Sequence, residues 1–81
     1  MRGGEHAGVT GTVTVLHVWG NKSFRVEMEY DETEYMVIGP VSQISNPPLE
    51  VGDTLSVEGI MKLNRRTRQY HVWSDTAEKM V

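Results

Sequence analysis

The sequence predicts an all-β fold, in the form of a small five-stranded barrel, from three observations. Turn-forming residues interrupt the chain at about every ten residues, and apolar and polar side chains alternate in the segments between them. The chain has 81 residues and no cysteine. One domain with one modest core is therefore expected, without disulfide bonds or thiolate chemistry.

The first two predicted strands are residues 9–19 and 23–30, separated by the turn Gly20-Asn21. The first is rich in valine and threonine, and Gly11 is a candidate bulge within it. Residues 1–8 are predicted to be a flexible N-terminal segment, and residues 9–81 to form one domain. In the second strand, charged residues alternate with four that should face the core, namely Phe24, Val26, Met28 and Tyr30.

The third predicted strand, residues 34–38, follows the acidic turn at residues 31–33 and forms a hairpin with the second. It ends at Gly39-Pro40. The connector that follows contains Asn46-Pro47-Pro48, which excludes a continuous strand. It leaves room for one helical turn around residues 41–44.

The fourth and fifth predicted strands are residues 54–63 and 68–74, joined by a turn at residues 64–67. A bend is predicted at Gly59. Asp75 is a suitable N-cap, so we expect a short C-terminal helix after it. The predicted inward residues of these two strands are Leu55, Val57, Gly59, Met61, Tyr70 and Val72.

The charges are unevenly distributed. The net charge of −3 disfavours a polyanionic partner, because phosphate binding depends on lysine and arginine. Residues 27–34 contain five acidic residues and no basic one, whereas residues 62–68 contain four basic residues and no acidic one. The distribution therefore allows local phosphate binding despite the negative total.

Three stretches resemble a known family: residues 11–13 with 19–26 (GTV, WGNKSFRV), residues 49–61 (LEVGDTLSVEGIM) and residues 64–73 (NRRTRQYHVW). They are similar to the OB-fold nucleic-acid-binding domains of replication protein A, bacterial single-stranded-DNA-binding proteins and anticodon-binding domains. The resemblance extends from Val9 to about Met80. It implies a five-stranded Greek-key barrel.

The resemblance also implies a binding surface on the outer face of strands two and three. The loop between strands one and two and the hairpin between strands four and five should flank it. Both loops are basic, and we expect them on one side of the barrel, with the acidic turn on the other. The candidate nucleic-acid-binding residues are Trp19, Lys22, Arg25, Tyr35, Lys62, Arg65, Arg66, Arg68, His71 and Trp73.

The aromatic residues divide by strand face. Phe24 and Tyr30 share the apolar face of strand two and should be buried. His71 and Trp73 should point outward beside the basic hairpin, where a ring could stack on a base. Either face of strand three could be the outer one, so the orientation of Tyr35 stays open.

No enzyme activity is expected. No serine lies in a G-x-S-x-G pattern, the three histidines lack metal-ligand spacing, and there is no P-loop or G-x-G-x-x-G motif. Glu27 and Glu29 lie two apart on one strand and are expected to be solvated. We therefore expect neither a cofactor nor a metal.

The predicted function is binding of single-stranded nucleic acid, DNA rather than RNA, in replication, recombination or repair. The alternative is an OB-fold protein-interaction subunit of a larger nucleic-acid-processing complex, favoured by the acidic outer face and the apolar ending Met80-Val81. The partners expected besides nucleic acid are a second protein or further copies of the chain in a homo-oligomer, and no membrane partner is expected. An RNA-binding barrel of the translation-factor type is a third possibility. The sequence shows no signal peptide or transmembrane run, so we expect a soluble, cytoplasmic protein.

Overall fold

Five strands follow one another along the chain in the computed structural model, which describes residues 5–45 and 48–80. They are β1 (Glu5–Trp19), β2 (Ser23–Tyr30), β3 (Thr33–Pro40), β4 (Thr54–Asn64) and β5 (Gln69–Met80). The strands pair in the order β1-β2-β3-β5-β4, and β4 pairs again with β1, which closes the barrel. Only β3 and β5 are parallel. This confirms the predicted five-stranded OB-fold barrel.

The core fills the barrel with apolar side chains from every strand, as the alternating pattern predicts. On β2, Phe24, Val26 and Met28 are fully buried, whereas Tyr30 is 57% exposed, so its predicted burial is wrong. Tyr30 is the last residue of β2, beside the hairpin turn, and no side chain covers it there. The buried core residues are Val9, Val13, Phe24, Val26, Met28, Val37, Ile44, Leu49, Leu55, Val57 and Val72.

One 3-10 turn, Val41–Gln43, follows β3, which confirms the predicted helical turn. The Gln43 side-chain amide ties this turn to β5. Its Nε2 donates to the carbonyl oxygens of Ser74 and Asp75, at 3.3 and 2.8 Å, and its Oε1 accepts from Ser74 Oγ at 2.7 Å. Asn46 and Pro47 of the predicted strand break lie outside the described residues. No helix in the described part of the chain is long and apolar enough to cross a membrane.

The predicted C-terminal helix is wrong, because β5 continues as a strand to Met80. Thr76 pairs with Glu58 and Met80 with Thr54, so this segment adds to the barrel wall. Hydrogen bonding to β4 overrides the local preference for a helix. Asp75 is therefore no N-cap; it lies where the register between β4 and β5 shifts.

β1 begins at Glu5, four residues earlier than predicted, because residues 5–8 pair with residues 58–61 of β4. Residues 1–4 of the predicted N-terminal segment lie outside the described residues. The irregularity in β1 falls between Val13 and Val15, not at Gly11. Gly11 has a different role: a Cβ there would lie 2.6 Å from the carbonyl oxygen of Glu29, so the close approach requires glycine.

The pairing of β4 with β5 is irregular beside Gly59, where the sequence predicts a bend. The register between β4 and β5 shifts between Glu58 and Gly59. A Cβ at Gly59 would lie 2.0 Å from the carbonyl oxygen of Trp73. Because Gly59 has no side chain, the backbone of β4 can approach the backbone of β5 closely at Trp73.

Candidate functional site

Four outward side chains form a row across the barrel, which we call the outer row. Arg25 on β2 lies opposite His17 on β1 and Ile38 on β3, and Ile38 lies beside Trp73 on β5. Their neighbours in sequence include Val26, Val37 and Val72, which are buried. Because successive side chains of a strand point to opposite faces, the outer row points away from the core.

Trp19 stands at the β1 end of the outer row and is 51% exposed. It lies two residues after His17, and the two rings stack with their centroids 6.2 Å apart. The Arg25 guanidinium lies over the indole, 5.8 Å from its centroid, in a cation–π contact. Arg25 Nε is shielded from solvent and has no hydrogen-bond partner among the described residues.

Trp73 stands at the β5 end of the outer row and is 37% exposed. His71 lies two residues before Trp73. The centroids of the two rings are 6.2 Å apart, and the rings are tilted relative to each other. His71 Nε2 is also shielded and has no partner among the described residues. The close approach of Gly59 and the Gln43–Ser74 hydrogen bonds hold the backbone on either side of Trp73.

A groove of about 710 Å³ continues from Trp73 toward the β4–β5 turn. We call it the first groove. Its side chains carry mainly hydrogen-bond donors and no carboxylate, so it favours an anion such as a phosphate. Its lining residues are Lys62, Leu63, Asn64, Arg65, His71 and Trp73.

The β4–β5 turn presents three arginines to solvent. Asn64 Oδ1 accepts a hydrogen bond from the Arg66 backbone N–H at 3.0 Å, which fixes the start of the turn. Arg68 adopts the left-handed region with φ of 57°. Arg65, Arg66 and Arg68 are all exposed.

The predicted placement of the loops is wrong. Because β3 and β5 are parallel, the β4–β5 turn lies at the end of the barrel where β3 begins, beside the β2–β3 turn. The β1–β2 loop, which contains Lys22, lies at the opposite end. There the Lys22 backbone N–H donates a hydrogen bond to the Trp19 carbonyl oxygen at 3.1 Å. The outer row therefore separates the two basic loops. The acidic β2–β3 turn lies next to one of them, the β4–β5 turn.

A second groove, of about 810 Å³, lies between the acidic and the basic turn. It shares Arg65 and Leu63 with the first groove, so the two grooves are adjacent. Both carboxylates and guanidiniums border it. Its lining residues are Glu32, Thr33, Glu34, Leu63, Arg65, Thr67, Arg68, Gln69 and Tyr70.

The acidic residues of β2 lie on the outer face, as the alternation predicts. Glu29 is directly opposite Glu34 of β3, and both are exposed. Glu27 is half-buried, and its Oε1 accepts a hydrogen bond from Gln69 Nε2 at 3.4 Å. The outer row itself contains no carboxylate, and Glu27, two residues from Arg25 on the same face of β2, is the acidic residue of this strand nearest to it.

Tyr35 lies on the inner face and does not join the outer row. It stacks on Tyr70 with ring centroids 5.4 Å apart and packs against the core. Burial, and then the neighbouring Tyr70, raise the pKa of the Tyr35 phenol, which is therefore neutral at physiological pH. The half-buried Tyr70 has the inward orientation that its pairing with Val72 predicts.

The structure brings together Arg25, Trp19 and Trp73 along the outer row, and Lys62, Arg65 and His71 in the first groove. Lys22, Arg66 and Arg68 lie at the two ends of this surface. The sequence analysis missed His17, although its position two residues before Trp19 places both on one strand face. Among the described residues, no group of three or more acidic or histidine side chains could hold a metal ion.

Comparison with known proteins supports the fold. No protein-family model and no curated protein matches the chain. Among solved structures, 129 chains match. One of them, in the crystal structure of the S. pombe Stn1-ten1 complex, has a TM-score of 0.67 at 10% sequence identity. The match covers 93% of this chain but only 57% of that one, so this chain spans little more than half its length.

Proposed function

We propose that this barrel binds single-stranded DNA along the outer row and the first groove, and that it is a binding module without catalytic activity. Replication, recombination and repair are the processes that use such a module. The observation that carries the proposal is the presence of two exposed indoles at the ends of one row, with an arginine between them. Exposed rings provide stacking platforms for bases, and the arginine provides a contact for the backbone.

The dimensions of the outer row suit a short single strand. β1 and β5 are three strand spacings apart in the order of the barrel, or about 14 Å. Bases stacked on Trp19 and Trp73 would leave the phosphates between them near Arg25. Beyond Trp73, Lys62 and Arg65 of the first groove continue the line of positive charge.

Binding should be weak for an isolated domain, because the surface is small and the net charge is −3. One OB fold covers about 4 to 16 nucleotides. A sub-nanomolar dissociation constant for the monomer at physiological salt would contradict this expectation.

The double change Arg65→Glu and Arg66→Glu tests the proposal. Both residues are exposed in the turn, so folding should change little. Affinity for a fluorescein-labelled deoxythymidine oligonucleotide should fall strongly. In an anisotropy titration over a series of salt concentrations, the log–log slope should flatten by about 0.7 for each lost phosphate contact.

Arg65→Lys with Arg66→Lys is the matched control, because it keeps both charges and should leave the salt slope unchanged. An RNA oligonucleotide of equal length tests the preference for DNA. If the glutamate variant retains both the affinity and the salt slope of the parent, the basic turn is not part of a binding site.

Protein interaction is the second candidate function. Val51 is 61% and Met80 49% exposed, and both lie at the end of the barrel where β4 begins, since Met80 pairs with Thr54. One of the solved structures similar to this chain is that of a complex, Stn1-ten1. Absence of oligonucleotide binding at low salt would favour this function over nucleic-acid binding.

A further inference from the structure

The second groove places hydrogen-bond acceptors next to cations. Glu34 is on β3 and Glu32 in the β2–β3 turn, while Arg65 and Arg68 face them from the β4–β5 turn. Tyr70 closes the inner side of the groove, and its ring is held by stacking on Tyr35. Arg65 borders both this groove and the first, so a strand that passes Trp73 and Arg65 would lie next to the second groove.

The carboxylates of this groove are not used in ion pairs. Among the described residues, side-chain ion pairs join only His6 to Asp75 and Lys79 to Asp53. No described side chain donates a hydrogen bond to Glu32 or Glu34 either. Their oxygens therefore remain available as acceptors beside arginines that can hold a phosphate.

We propose that the second groove is a subsite that selects a cytosine over a thymine, a proposal that rests on single-strand binding by the outer row. Cytosine carries an exocyclic amino group, N4–H₂, which donates to a carboxylate, and this is the usual pairing of glutamate with a base edge. Thymine carries the O4 acceptor at the same position, and a carboxylate there would repel it. Arg65 and Arg68 would hold the phosphate of the selected nucleotide.

The test compares deoxycytidine and deoxythymidine oligonucleotides of about 12 nucleotides, a length within the range that one OB fold covers. Mildly alkaline buffer keeps cytosine unprotonated. The parent should bind the cytidine oligonucleotide more tightly, by about fivefold or more. The double variant Glu32→Gln with Glu34→Gln should bring this ratio close to one.

The matched control is Glu58→Gln with Glu78→Gln, which makes the same change in charge at exposed positions away from the turn. It should keep the cytidine preference, and thermal melting should show that all variants fold. If the parent binds both oligonucleotides equally, or if the Glu32/Glu34 variant gains affinity for both and keeps their ratio, the subsite is refuted and single-strand binding stands. If the parent binds neither, both proposals fail.

Discussion

At the scale of single residues, one close contact serves both folding and the proposed site. Gly59 allows the backbone of β4 to approach the carbonyl group of Trp73, the residue whose indole lies at the β5 end of the outer row. The ring remains 37% exposed because its outward face has no neighbouring strand to cover it. An indole exposed at this position can serve as a stacking platform for a base.

Trp73→Ala should weaken binding to a deoxythymidine oligonucleotide by about 1 to 3 kcal/mol, since it removes one stacking platform. Anisotropy titration at constant salt measures the loss. Tyr30→Ala is the control, because Tyr30 is an exposed aromatic away from the outer row and its loss should leave affinity unchanged. Equal affinities of the parent and the Trp73 variant would show that this ring does not contact the ligand.

Residue alternation predicted which side chains of β2 face inward, but not where the barrel ends. Phe24, Val26 and Met28 are buried as predicted, whereas Tyr30, with the same orientation, lies at the rim. A period of two gives the face of a residue. The burial of a residue also depends on whether another strand covers that face. The local sequence contains no information about that other strand.

At the scale of the elements, the predicted strands were mostly found with small changes of boundary, and the errors arise from pairing between distant segments. The C-terminal segment became part of β5 because β4 offered it hydrogen bonds. The basic and acidic turns meet because β3 and β5 are parallel. Neither pairing is visible in the local pattern of residues, and this is why the two grooves could not be predicted.

Asp53 lies in the connector before β4, and its carboxylate should make the free energy of unfolding decrease at acid pH. Its Oδ2 accepts the Glu50 backbone N–H at 2.8 Å and lies 3.2 Å from Lys79 Nζ. The backbone hydrogen bond, and then Lys79, hold the pKa of Asp53 below its usual value. As pH falls, the Asp53 carboxylate therefore takes up a proton at a higher pH in the unfolded state than in the folded state. The contribution of Asp53 to stability is complete above about pH 4, and it is lost as pH falls through the lower pKa of the folded state.

Chemical denaturation from neutral to strongly acid pH checks this contribution. Asp53→Asn retains an oxygen that can accept the Glu50 N–H, so the variant should fold. Its stability should fall less steeply than that of the parent below about pH 4. Parallel stability curves for the two proteins would mean that Asp53 does not contribute to the acid response.

At the scale of the whole molecule, the barrel depends on one continuous core, and Val57→Asp should unfold it. Val57 is 1% exposed and lies between Val9 on β1 and Ala77 on β5. Burial of an unpaired charge costs several kcal/mol, comparable to the total stability of so small a domain. Val51→Asp makes the same change at an exposed valine and should be tolerated. A cooperative thermal transition in the Val57 variant at the parent's temperature would contradict the inward orientation.

The central claim, that single-stranded DNA crosses the outer row, is tested most directly by NMR titration of isotopically labelled protein with a deoxythymidine oligonucleotide. The account predicts that the indole N–H signals of Trp19 and Trp73 shift together with the backbone amides of Arg25 and Ile38. Signals of Val51 and Met80, which belong neither to the outer row nor to the first groove, should stay in place. Shifts centred on Val51 and Met80, or no shifts at low salt, would contradict it.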